Sequence, residues 1–418
     1  MSEKIILGKN TSFEADSKDG INAHICAYGG SGTGKTYSVV KPNMLEGICA
    51  GVSMIIVDPK GALEKEFGNL FKREGYKYYS IDLVNPAKSI STFNALDYVC
   101  SENDIMKLAH RIIYADPMTQ KCTKQDPYWP RQAERLLSML IEMVIIIEDE
   151  DKETFDRITY YASHLTADGT GKTNYLMDRI EQKKPNCLAS KQWRMLKSLM
   201  PAEKTFSCVV SSVQEHLGVY ESEEMTAFFH KSKRIFFEDF AKKKSVLFLR
   251  VSDTDSTYYN FANIIYAQAV DTLSMYADSR ADGRCPIAVR FYLDDFGTNS
   301  FIEGMPRIIS TARARNISFM LVCQSVQQLR MGYQEDAQTI MSNCDNIIFL
   351  GTNDVDTAKE FSIRLDLPVK DILSQKRGTV YIFRTGEEPI QDERYDYREH
   401  QMYEKLYKSK RVVKEISA

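Results

Sequence analysis

The sequence predicts an α/β fold: a doubly wound, parallel-rich central sheet interrupted by an inserted all-α domain. Three observations predict it. Ser53–Val57 is a continuous apolar run, the pattern of a strand buried on both faces of a parallel sheet. In the first hundred residues such runs alternate with helical ones in a βαβ rhythm. Between Ser101 and Ser232 convincing strands are missing and helical periodicity takes over, for example over Glu134–Ile147 and Tyr175–Glu181. The domains expected are therefore 1–100 with 233–418 for the sheet, and 101–232 for the insertion.

Taken in order, the first core strand is His24–Tyr28, and it runs into Gly29-Gly30-Ser31-Gly32-Thr33-Gly34-Lys35-Thr36. That is G-x-x-x-x-G-K-T between a strand and a helix-like run from Lys35, the pattern of a phosphate-binding loop. Glycines let successive N–H groups turn inward around a triphosphate, and the helix adds its positive end. Lys35 is placed to reach the β- and γ-phosphates, and the Thr36 hydroxyl to take a position on Mg²⁺. The pattern thus points to ATP or another nucleoside triphosphate with Mg²⁺. Next come the strand Ser53–Val57, a helix over Leu63–Glu74 and a short strand over Lys77–Leu83. After the helical stretch, strands are expected at Ser245–Val251, Val289–Leu293, Ser318–Val322 and Asn346–Leu350. Gly378–Arg384 alternates and reads as the last strand, near an edge, and the tail from Arg398 reads as a basic helix with Lys405, Lys408, Lys410, Arg411 and Lys414.

Composition narrows the class. The 418 residues suffice for two or three domains, and 43% hydrophobic with 27% charged residues is ordinary for a globular protein. A net charge of −3 argues against an overall basic coat, although 54 Lys and Arg are available for a local channel. Nine cysteines without a C-x-x-C pair fit neither zinc sites nor a disulfide framework, and Cys26, Cys49 and Cys323 read as small core side chains of a cytoplasmic protein. No signal peptide is visible at Met1, and the most apolar stretch, Leu136–Ile147, contains Glu142 and falls short of the ~20 residues that span a bilayer.

Further chemistry is marked at strand ends. Phe291-Tyr292-Leu293-Asp294-Asp295 is an apolar strand ending in two acids, which assigns Asp294 to the metal and Asp295 to orienting or activating water. Gln324 emerges from the next strand, placed to sense a γ-phosphate. Arg313 and Arg315 lie between the helix after Asp295 and that strand; charge alone leaves open which is an arginine finger and which a helix-end cation. Lys231–Arg234 and Lys242–Lys244 read as solvated charge rather than DNA contacts, and Trp129 as a packing residue. The six histidines show no metal-like spacing.

Several segments occur in an order that resembles one family. They are His24 with the phosphate loop, Val57-Asp58-Pro59-Lys60-Gly61, Phe93-Asn94-Ala95-Leu96, Asp126-Pro127-Tyr128-Trp129, Leu293-Asp294-Asp295-Phe296-Gly297, and Cys323-Gln324-Ser325 with Gln328-Leu329. The series is similar to the TraG/TraD-type coupling proteins of type IV secretion and conjugation. That resemblance implies a RecA-like P-loop ATPase, hexameric when assembled and monomeric in isolation if an anchor normally promotes the ring. It also implies that the inserted all-α domain reads substrate. The implied partners are a relaxase with single-stranded DNA, a secretion-channel ATPase and a membrane-anchoring partner, at the inner face of the cell membrane. By the same resemblance Asp58 and Lys60 line the nucleotide site, Gln324 is the strand-end sensor, and Arg313 is the better finger.

The chain departs from the family pattern in three places. Asp295 stands where the family has Glu, shortening the carboxylate by one methylene, and Ala62 replaces an acid after the D-P-K-G turn. The phosphate loop also arrives by residue 29, without the usual membrane anchor before it. The leading functional reading is an ATP-driven coupling protein that recruits a relaxase–DNA substrate and drives single-stranded DNA transfer. The alternatives are a nucleotide-gated docking receptor with little hydrolysis, favoured by Asp295, and a general DNA translocase of the FtsK/HerA kind.

Overall fold

The computed structural model describes residues 3–15, 20–114, 127–149, 154–298 and 301–407. The chain divides into two compact units: 1–81 with 236–256 and 269–418, and 82–235 with 257–268. Asp126, Lys408, Lys410, Arg411 and Lys414 lie outside the described residues.

Among the described residues, the first unit is built on a nine-stranded sheet. A small antiparallel hairpin, β1 (Lys4–Ile6) and β2 (Ser12–Glu14), precedes it. The sheet strands are β3 (Ile25–Tyr28), β4 (Ser53–Val57), β5 (Lys77–Asp82), β6 (Ser245–Arg250), β7 (Val289–Leu293), β8 (Ile317–Cys323), β9 (Asn346–Phe349), β10 (Thr379–Arg384) and β11 (Ile390–Glu393). Their order is β11-β10-β9-β3-β8-β7-β4-β6-β5. From β9 to β6 every pairing is parallel, while β10 joins β9 and β11 antiparallel. The parallel centre is what continuous apolar runs dictate: every residue of β3, β4, β7, β8 and β9 is buried. The fold is the parallel-rich α/β sheet expected.

One strand is placed differently from the sequence reading. Gly378–Arg384 reads as the last strand, yet β11 follows it and forms the edge. The polar sequence Ile390-Gln391-Asp392-Glu393 hides a strand because its inward residue is an acid. Asp392 is buried and accepts from the Asn10 N–H at 2.9 Å and the Thr11 hydroxyl at 2.8 Å. Satisfied hydrogen bonds take the place of apolar burial.

The second unit is helical. Its long central helix, Tyr128–Ile147, buries Leu136, Leu137, Leu140, Ile141 and Val144. Fully burying such side chains contributes roughly 1.5–3 kcal/mol each. Phe155, Tyr220, Phe229 and Phe261 pack as an aromatic cluster, with Phe155 and Tyr220 stacked at 4.7 Å between centroids. Trp129 does not join a core: Tyr128 and Trp129 are 41% and 40% exposed and meet edge to face. They open the first turn of the helix, ahead of its buried stripe. No described helix is long and apolar enough to cross a membrane.

Candidate nucleotide site

Because β9, β3, β8 and β7 are parallel, the residues following them collect at one end of the sheet. The Gly29–Thr36 loop follows β3, Asp294 and Asp295 follow β7, and Gln324 follows β8. Loop geometry selects its glycines. A Cβ at Gly29 would fall 2.4 Å from Thr33 Oγ1, and Gly34 has φ +86°, a left-handed conformation. The loop is tied to its neighbours by Gly29 N–H donating to the Cys323 carbonyl at 3.2 Å and Gly30 N–H to the Gly351 carbonyl at 3.0 Å. Ser31 and Gly32 are exposed.

Lys35 is buried and donates to the carbonyls of Gly29 at 2.5 Å and Gly30 at 3.3 Å. Burial lowers its pKa, and the charges of Asp295 and then Asp294 oppose that shift. The Thr36 hydroxyl donates to Asp294 Oδ2 at 3.0 Å. Burial first, and then the Asp295 charge, raise the Asp294 pKa. Asp295 carries φ +53°, a conformation of order 1 kcal/mol or more above ordinary backbone for a non-glycine residue. It is held there by Gln324 Nε2, which donates to Asp295 Oδ1 at 2.9 Å, and by Gln328 Nε2, which donates to its carbonyl at 3.3 Å. A hydroxyl and two adjacent carboxylates form a hard oxygen set of the kind that suits Mg²⁺, beside a glycine loop shaped for phosphate. The residues present fit both groups.

Four sequence-named residues stand apart from this cluster in different ways. Both oxygens of the buried Asp58 are occupied in capping the helix Ala62–Arg73, accepting from Ala62 N–H at 3.1 Å and Glu64 N–H at 2.9 Å. Lys60 is exposed, and its charge reaches Lys35 as a repulsive contribution. Arg313 lies at the other end of the parallel strands, ahead of β8, where it is exposed and helps line a cavity of about 680 Å³. Arg315, the other finger candidate, is committed to Asp278 through paired hydrogen bonds of 2.8 and 3.0 Å.

One cation at the loop escapes sequence reasoning. Arg394, just past β11, places its Nη1 3.6 Å from where a Gly34 Cβ would stand, and its Nη2 donates to the Leu350 carbonyl at 3.0 Å. No local motif marks it; sheet order alone brings it there.

A cluster of Glu46, Cys49 and His400 has metal-like proximity but the wrong tautomer for ligation. His400 Nδ1 accepts the Met402 N–H at 3.1 Å, so the ring proton sits on Nε2, facing Glu46 Oε1 at 3.1 Å. This is a hydrogen bond within the fold.

Fold and site together define a RecA-like P-loop protein carrying an all-α domain. Residues 2–365 match the family described as "Type IV secretory system Conjugative DNA transfer", and the chain belongs to that family. That family places the chain in conjugative DNA transfer by a type IV secretion system. Among solved structures, unbound TrwBΔN70, a bacterial conjugative coupling protein, is similar at a TM-score of 0.65 and 15% identity, over 89% of this chain and 84% of that one. TrwB in complex with the ATP analogue ADPNP matches at 0.66 and 15%, over 89% and 85%. VirB4 of Thermoanaerobacter pseudethanolicus matches at 0.55 and 14%, over 94% and 96%. At these identities the likeness is one of fold. No curated protein matches the chain.

Proposed function

We propose that this protein is a Mg²⁺-dependent ATPase whose turnover drives single-stranded DNA and its relaxase toward a secretion channel. The observation that carries the reading is the joining of Thr36 to Asp294 at 3.0 Å, with the buried Lys35 beside the same acids. TrwB structures with ADPNP and with ADP and Mg²⁺ support it by fold.

In this reading Gly29 to Thr36 direct N–H groups at the phosphates, and Lys35 leaves its loop carbonyls for phosphate oxygens. Thr36 and Asp294 would hold the metal, which would supply charge neutralisation for the phosphates. Asp295 orients water, and Gln324, already on its carboxylate, reports on the terminal phosphate. Asp58 and Lys60 act at one remove: Asp58 fixes the turn, and Lys60 adds positive potential. Arg313 completes the site of a neighbouring protomer in a hexamer, since in its own chain it is at the opposite end of the strands. The helical unit, expected over 101–232, reads the relaxase. The protein works in the cytoplasm at the inner membrane face, with a channel ATPase and an anchoring partner.

Steady-state ATP hydrolysis with and without single-stranded DNA tests this. Turnover that rises with DNA and is lost in Asp294→Ala supports it; equal turnover in Asp294→Ala and wild type overturns the site. A second reading, a nucleotide-gated receptor, is favoured by the short Asp295 carboxylate, because displacement of a catalytic group by ~1 Å costs about 10²-fold. Tight ATP binding without turnover at assembling concentrations is its signature.

A further inference from the structure

Arg394 is held in place by backbone rather than by an acid. Its N–H donates to the Gly378 carbonyl at 2.8 Å, and Nη2 to the carbonyl of Leu350, whose own N–H is fixed on Tyr28 at 2.8 Å. Its Nε is buried without a hydrogen-bond partner. Nη1 faces the phosphate loop at Gly34, the residue before Lys35. Arg394 makes no ion pair with a carboxylate among the described residues, and the charge that acts on it is a like one, Arg377. Burial, and then Arg377, lower its pKa.

Two other buried or partly buried arginines of the same unit have acids: Arg290 pairs with Glu3, and Arg315 with Asp278. A half-buried guanidinium beside a second arginine is unfavourable until an anion joins them. A guanidinium has five donors, so the single bond to Leu350 leaves donors for phosphate oxygens.

We propose that Arg394 is a nucleotide-binding residue acting within its own chain: its guanidinium takes a phosphate oxygen of the nucleotide on Gly29–Thr36, and Arg377 adds positive potential. The inference rests on the nucleotide reading of that loop and differs from the Arg313 assignment in acting in cis. It makes β11 more than a sheet edge, because the strand delivers a phosphate ligand to the loop.

Calorimetric titration of the full chain with ADP and with inorganic pyrophosphate, for wild type, Arg394→Ala, Arg394→Lys and Lys35→Ala, tests it. Arg394→Ala is expected to weaken both ligands about tenfold or more, with the melting temperature unchanged, and Arg394→Lys to recover part of the loss. If Arg394→Ala fails to fold, Arg394→Lys binding both ligands as wild type overturns the inference. If Lys35→Ala weakens binding while Arg394→Ala does not, the inference falls and the nucleotide site stands. Weakened ADP with unchanged pyrophosphate overturns the phosphate contact. Binding untouched by either Lys35→Ala or Arg394→Ala overturns the nucleotide reading itself, and this inference with it.

Discussion

At the N-terminal ends of the parallel strands, Arg290 is buried against Glu3 and the Ser318 hydroxyl, and Arg315 holds both oxygens of Asp278. At the C-terminal ends, Lys35 is spent on the carbonyls of its own loop, Asp294 and Asp295 sit side by side, and Arg394 stands near Arg377 with a carbonyl for a partner. One end neutralises its charges within the chain, and the other leaves like charges together. The second arrangement is less favourable in isolation, and it suits a doubly charged cation and a polyphosphate that satisfy acids and bases at once. Substitutions at the N-terminal end should therefore reach the fold, and those at the C-terminal end the ligand.

Arg313 is the exception that tests the contrast most sharply. It is an exposed cation at the N-terminal end with no ion pair among the described residues. Arg313→Ala should reduce ATP turnover of the assembled protein by about 10³-fold, the lower range for an arginine finger, while ADP affinity and melting temperature stay the same. Recovery of turnover when Arg313→Ala is mixed with Lys35→Ala would place the arginine across an interface. A loss of ADP affinity instead would put Arg313 in its own chain's site and break the division between the two ends.

The Glu3–Arg290 pair should behave oppositely. Both side chains are more than nine-tenths buried, so Glu3→Ala leaves a buried guanidinium without its acid and should cost about 3–5 kcal/mol in urea unfolding. Nucleotide affinity of the folded fraction should be unchanged. At the other end, Lys35→Ala should lower turnover by about 10²–10³-fold with no loss in unfolding free energy, since Lys35 is relieved of an unfavourable burial. A destabilised Lys35→Ala would mean that its loop hydrogen bonds serve the fold.

The same contrast explains what could be read in the sequence. Buried parallel strands announce themselves as apolar runs, so β3, β4, β7, β8 and β9 and the turns after them were legible, and with them Lys35, Asp294, Asp295 and Gln324. Whether a charged residue is satisfied is not local. Asp58 looks like a site acid in its D-P-K-G turn, and only the start of the helix at Ala62 shows that its oxygens are taken as a cap. Asp392 made β11 look like a loop, because its partners Asn10 and Thr11 lie some 380 residues away in sequence. Arg394 was hidden for the same reason, being delivered by an edge strand that the polar pattern concealed. Trp129 packs on Tyr128 as expected of it, but nothing local shows that its helix turn lies outside the core.

The smallest effect distinguishes the two ends by pH. His24, at the N-terminal end of β3, is wholly buried; its Nδ1 accepts the Phe319 N–H at 3.1 Å, and its ring stacks on Phe319. Burial, reinforced by the charges of Arg290 and Arg313, pushes its pKa down to about 3 from the ordinary 6.5. Between those values the unfolded chain binds a proton that the folded chain refuses, so stability falls as pH drops below 6.5, by roughly 1.4 kcal/mol per unit. At pH 5 this amounts to roughly 2 kcal/mol relative to pH 7. His24→Gln removes the titration, so its unfolding free energy should lose about that much less than wild type between pH 7 and pH 5. Its pH 7 stability should be lower, because the Phe319 N–H and the ring stacking lose a well-fitted partner. Equal acid sensitivity in the two proteins would show that His24 takes up its proton in the fold. In that case the N-terminal end of the sheet would not be the charge-sealed end.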